Sequence, residues 1–125
     1  MKRDMDLVRD ILLYSEELNQ GGNVIRMNYA HFPKYTPDQI YGHTRMLREQ
    51  GLLRDCTQTI SGPPSLVGLT WSGHDFLDAV RDETVWEKTK NAATEGGGFT
   101  IDILKQLAVG FLKTQIKERT GVEIG

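Results

Sequence analysis

An α+β fold in which helix predominates is what three observations in this sequence predict. Apolar residues recur at three- and four-residue spacing through most of the chain, as in helices with one buried face. Thr36-Pro37-Asp38-Gln39 satisfies several helix-start criteria at once. Two runs rich in strand-favouring residues, Arg54 to Ile60 and Leu66 to Trp71, flank Ser61-Gly62-Pro63-Pro64-Ser65. They read as an antiparallel hairpin with a Gly/Pro tip. The length, 125 residues, suffices for one hydrophobic core without disulfides or metals.

The first helix opens near Asp4, where Asp4 or its neighbour is expected to accept from free amide groups. Met5, Val8, Ile11, Leu12, Ser15 and Leu18 form its inner stripe, and Gly21-Gly22 ends it. Asn23 to Asn28 reads as a brief strand, and Tyr29 to Tyr35, broken by Pro33, as a loop with room for one helical turn. The second helix runs from Pro37 to Gln50. Thr36 caps it, Gln39 completes a capping box, and Tyr35 and Ile40 occupy the positions of a hydrophobic staple. Ile40, His43, Thr44 and Leu47 share its inner face; Asp38, Gly42, Arg45 and Glu49 share the opposite one, with Tyr41 and Arg48 on a flank. Gly51 permits an abrupt turn into the hairpin.

Beyond the hairpin, Ser72 is expected to cap a helix bearing Phe76, Leu77 and Val80. A second short helix starts at Asp82-Glu83-Thr84 and runs to about Ala93. Trp71 and Trp86 read as core anchors. Thr94-Glu95-Gly96-Gly97-Gly98 has the composition of a hinge. The last helix begins from Thr100 and carries Ile101, Leu104, Leu107, Ala108, Phe111, Leu112 and Ile116 on one wide stripe. The expected organisation is a domain over residues 1–93, a glycine hinge over 94–99, and an amphipathic helix over 100–121 packing on the core or on a partner subunit.

Composition narrows the function. The hydrophobic share is 38%, the charged share 26% and the net charge −2, so any nucleic-acid binding must use a local patch. No apolar run is long enough to span a membrane. The first residues lack a secretory signal, and the single Cys56 forms no intramolecular disulfide, so a cytoplasmic setting is expected. The three histidines and Cys56 fall in no metal-ligand spacing, and no serine stands in a nucleophile elbow. No catalytic residue, metal or cofactor is therefore expected. His43 lies on the inner face of its helix and reads as a satisfied core histidine.

The order of elements, with Met46-Leu47-Arg48-Glu49-Gln50-Gly51-Leu52-Leu53 leading into the hairpin and Leu69-Thr70-Trp71-Ser72-Gly73-His74 leaving it, resembles the winged-helix branch of the helix-turn-helix proteins. Met1-Lys2-Arg3-Asp4-Met5-Asp6-Leu7, Gly68-Leu69-Thr70-Trp71-Ser72-Gly73-His74-Asp75-Phe76-Leu77-Asp78-Ala79 and Thr84-Val85-Trp86 further resemble a family of small bacterial and prophage proteins catalogued as domain of unknown function 2513. That likeness implies a winged helix-turn-helix-like domain with extra C-terminal helices and a bacterial or phage origin. It implies no activity and no site residues. The scaffold helix that usually precedes a reading helix is minimal here or replaced by loop, because only Tyr29 to Tyr35, interrupted by Pro33, is available for it.

Two functions from different classes follow. In the first, the protein is a DNA-binding or transcription-associated factor. The Pro37–Gln50 helix then lies at the major groove, and Tyr41, Arg45 and Arg48, with Lys34 and Arg54 beside them, contact double-stranded DNA. Asp38 and Glu49 oppose that charge, and Arg45 and Glu49 are spaced as an ordinary i, i+4 pair. In the second, the winged scaffold serves protein interaction, and the last helix meets a partner through Leu104, Leu107, Phe111 and Leu112. A homodimer through that helix is expected in either case.

Overall fold

The computed structural model describes residues 2–18, 23–55 and 62–125. The protein is α+β and mostly helical. In chain order it contains α1 (Met5–Leu18), β1 (Ile25–Arg26), a 3-10 turn (Tyr29–His31), α2 (Pro37–Glu49), β2 (Ser65–Leu66), α3 (Trp71–Val80), α4 (Glu83–Gly96) and α5 (Ile101–Thr120). No helix among the described residues is long and apolar enough to cross a membrane. The chain forms two compact units, Met1–His74 and Asp75–Gly125. The division falls inside α3, earlier than the glycine run at which the composition places it. The expected glycine stop at Gly21-Gly22 and the hairpin residues Cys56 to Ser61 lie outside the described residues.

In the first unit, α1 starts where Asp4 caps it: Asp4 Oδ1 accepts from the amides of Asp6 and Leu7 at 2.9 and 3.2 Å. Its buried stripe of Leu7, Val8, Ile11 and Leu12 packs with α2, which contributes Ile40 and Leu47. Each such side chain stabilises the fold by about 1.5–3 kcal/mol relative to exposure. Met27, Phe32, Leu52, Leu53, Leu66 and Leu69 are buried as well. Tyr14 fastens the segment after β1, its hydroxyl accepting from Asn28 N at 3.0 Å while its ring meets His31 and Phe32 at 5.1 Å. The α2 start forms as its sequence dictates: Thr36 Oγ1 accepts from Gln39 N at 3.2 Å, and Gln39 Oε1 accepts from Thr36 N at 2.9 Å.

Of the expected hairpin, the described residues show a single isolated bridge at its base, and Arg54 and Asp55 are not in strand. Leu53 bridges Leu69 antiparallel, with Arg54 N donating to Gly68 O at 2.9 Å and Thr70 N to Leu52 O at 3.1 Å. On its other side this return segment takes β1: Ile25 pairs with Leu66 and Arg26 with Ser65, antiparallel. The brief early strand is thus an added edge. The turn from α2 into the ribbon uses Gly51 at φ +80°, a conformation that side chains with a Cβ rarely adopt.

In the second unit, α4 and α5 form an antiparallel hairpin of helices. Asp82 caps α4 by accepting from Val85 N at 3.0 Å, and Gln115 near the end of α5 reaches the same carboxylate at 3.4 Å. The Val85 amide, above all, holds the Asp82 carboxyl below the usual carboxylate range, with Gln115, Thr84 and Arg119 adding to it against some desolvation. Trp86, Val85, Ala93, Leu104 and Ala108 are buried, and Lys90 Nζ lies 5.7 Å from the Trp86 ring centre.

Three expectations differ from the structure. The helix after the hairpin is capped by Thr70, whose Oγ1 accepts from Gly73 N at 3.0 Å, and not by Ser72. Trp71 is therefore the first residue of α3 and not the end of a strand. On the helix wheel it falls opposite Phe76, Leu77 and Val80, so it is 84% exposed and no core anchor. The hinge composition also misleads. α4 continues to Gly96 and stops when Gly97 N bonds Thr94 O and Gly98 N bonds Ala93 O, the paired bonds of a Schellman cap.

Candidate nucleic-acid interface

Helix α2 has one face committed to the core and one left outside. Inward, Ile40, His43, Thr44 and Leu47 are buried, as their spacing requires. Thr44 turns its hydroxyl back to Ile40 O at 2.8 Å and reaches Met27 Sδ at 3.3 Å. Outward stand Asp38, Arg45 and Glu49, all exposed, with Tyr41 and Gly42 half-buried beside them. Arg45 Nε lies 3.4 Å from Glu49 Oε1, and both side chains are well exposed. A pair of that kind contributes only tenths of a kcal/mol, so a stronger anion can draw the guanidinium away.

Arg48 is where sequence and structure part. It sits at the edge of the inner face and is buried, so it does not share the exposed surface with Arg45. Its Nη2 donates to the Ser65 carbonyl. That carbonyl is available because Met27 N bonds Pro64 O, which makes Arg26 and Ser65 the pair whose carbonyls point away from each other's strand. Arg48 thus supplies the donor that a further strand would supply, and it ties the end of α2 to β2. Its Nε and Nη1 are buried without a hydrogen-bond partner among the described residues.

The remaining cations surround α2 rather than line it. Lys34 is exposed in the loop before α2, near enough to Asp10 of α1 to act on its carboxyl. Burial is the main reason the Asp10 carboxyl titrates above its usual range; Lys34 and Arg9 work the other way. Arg54 is exposed at the base of the ribbon, its Nε donating to Leu69 O at 3.3 Å. Periodicity does not single out two further residues of the first unit. Arg26 is exposed on β1, with Nη1 over the Gly62 turn, only 2.8 Å from where a Cβ there would lie. Tyr29, half-buried in the 3-10 turn, has its phenol pushed up by burial first and then by Tyr41 and Asp38, which places all three at one spot.

The first unit carries eight Lys and Arg against eight Asp and Glu. Because Arg9 and Arg48 are buried, six of its cations remain outside: Lys2, Arg3, Arg26, Lys34, Arg45 and Arg54. No group of three His, Cys, Asp or Glu among the described residues is placed to hold a metal ion. In the second unit the expected contact helix is partly used up. Leu104 is fully buried, whereas Leu107, Phe111 and Leu112 are half-buried and Ile103 is 41% exposed.

Comparison with known proteins places the sequence among relatives of its own kind. A family model described as "Hypothetical protein (DUF2513)" matches residues 2–100, ending just before α5. A Haemophilus influenzae protein described as "Uncharacterized protein" is 31% identical over 112 residues, covering 86% of this chain and 92% of that one. No solved structure matches.

Proposed function

The chain belongs to the DUF2513 family of hypothetical proteins, and from that premise we propose that Met1–His74 is a winged helix-turn-helix-like domain that binds double-stranded DNA. The order α1, β1, short turn, α2 and paired ribbon supports the fold reading. The observation that carries the functional reading is the outer face of α2. Every large aliphatic side chain of the helix except the half-buried Met46 turns inward, and Tyr41 and Arg45 stand outside with Lys34 at the near end and Arg54 on the adjoining ribbon. Lys34, Arg45 and Arg54 contact phosphates and Tyr41 meets base edges. Arg48 leaves the contact set and positions α2 against β2.

Fluorescence anisotropy with a mixed-sequence duplex tests this. Three phosphate contacts give a slope of log K against log salt of about −2.7, or about a 40-fold loss of affinity between 50 and 200 mM salt. Arg45→Ala lowers that slope by about one contact's share. A protein that binds no duplex at 50 mM salt contradicts the reading.

A second reading, self-association through Asp75–Gly125, is favoured by the half-buried Leu107, Phe111 and Leu112 on α5. A twofold contact there would close the assembly as an isologous dimer. Sedimentation is expected to show a dimer that Leu107→Asp converts to monomer with unchanged helix content. An unchanged mass clears the stripe of that role.

A further inference from the structure

The residues before α1 are fastened to α2. The amide of Asp4 donates to His43 Nε2 at 2.8 Å, and His43 Nδ1 donates to the Gln39 carbonyl at 2.7 Å. The ring is fully buried. The neutral tautomer with its proton on Nδ1 is the form that satisfies both partners. The carboxylate of Asp4 is occupied in the opposite direction, capping its own helix through Asp6 and Leu7. The start of α1 is therefore locked beside the first two turns of α2, the part of a reading helix that approaches base edges.

Lys2 and Arg3 lie immediately before this lock, and both are exposed. Two residues of extended chain reach about 7 Å and the side chains add roughly 6 Å. A helix with its side chains is about 10–12 Å across. The anchor lies on the inner face of α2, and this reach lets both charges extend past the flank of its first two turns. We propose that Lys2 and Arg3 form an arm that clamps the phosphodiester backbone of duplex DNA beside α2, and that His43 is the positioning residue that holds this arm in place. The proposal rests on the DNA-binding reading above and extends its contact set from three phosphates to five. It also gives a task to a buried histidine that otherwise only packs. The arm acts without order of its own, because phosphate contacts depend on local positive charge more than on fixed geometry.

The test compares the protein with its Lys2→Ala/Arg3→Ala variant in the same duplex titration. With the arm, raising salt from 50 to 200 mM weakens binding about 500-fold; without it, about 40-fold, a slope smaller by about 1.8. Both substituted residues are exposed, so the melting temperature is expected to stay put. His43→Gln removes the aligned acceptor for Asp4 N and is expected to reproduce the smaller slope, with Arg45→Ala still subtracting its own share on top. Where His43→Gln fails to fold, the double alanine variant decides. If the wild type binds and Lys2→Ala/Arg3→Ala keeps its full salt slope, the arm is overturned while the α2 reading stands. If the wild type binds no duplex at 50 mM salt, both fall.

Discussion

Gly73→Ala is expected to destabilise the first unit by about 3 kcal/mol or more, the upper end of what overpacking costs. Gly73 is buried in the first turn of α3, where a Cβ would lie 2.0 Å from the Leu52 carbonyl oxygen, 3.0 Å from its carbon and 3.3 Å from Leu69 Cβ. No rotamer relieves this, because the clash is with backbone. The Leu52 carbonyl cannot retreat without losing its bond from Thr70 N. The same threonine donates to Gly51 O and caps α3, so the three features move or stay together. The gain of about 1 kcal/mol in helix propensity from glycine to alanine is too small to offset the clash. Urea unfolding reads the outcome: a midpoint that falls sharply is expected, and one that stays or rises contradicts the close approach of α3 to the ribbon.

Arg48→Ala is expected to cost about 3 kcal/mol, combining the lost Nη2 bond to the Ser65 carbonyl with the space left by the stem. Arg48→Met is expected to cost about half as much. The methionine refills the stem's volume and also removes two buried guanidinium donors that lack partners, which offsets part of the lost bond. Folded Arg48→Met protein is expected to bind duplex DNA with the wild-type salt slope. A variant of wild-type stability that loses about one contact's worth of slope, roughly 0.9, contradicts the burial and returns Arg48 to the reading surface. The pair of substitutions thus separates a residue that holds α2 in place from Arg45, which is exposed on the same helix.

What the sequence makes legible here is local. The α2 start is written in Thr36, Pro37 and Gln39, and its inner face in Ile40, His43, Thr44 and Leu47, because capping and 3.6-residue periodicity need only neighbours in the chain. The α5 start at Thr100 is legible for the same reason. What is not legible depends on distant partners. Arg48 stands at the edge of the wheel, and only the outward-pointing carbonyl of Ser65 decides that it turns in. Arg26 lies over the Gly62 turn because β1 pairs with β2, which no local pattern announces. Trp71 shows a different limit. Its β-favouring type and its place after Leu69 and Thr70 argue for strand, yet the hydroxyl of Thr70 starts a helix one step earlier and turns the indole outward. The glycine run shows how composition misleads when a terminating cap and a flexible hinge use the same residue.

The candidate surface was legible to the same extent. The wheel places Tyr41 and Arg45, nearness in sequence to α2 points to Lys34 and Arg54, and the burial of Arg9 and Arg48 leaves six cations outward in the first unit. The lock between Asp4 and His43 had one sequence signal, a histidine on an inner helical face, and no signal for its partner.

Titrating nitrogen-labelled protein with a mixed-sequence duplex and following every amide by NMR puts the central claim to its most direct test. The account predicts shifts concentrated at Lys34, Tyr41, Gly42, Arg45 and Arg54, fading as salt is added. Shifts confined to α5, or none at all at low salt, would contradict it.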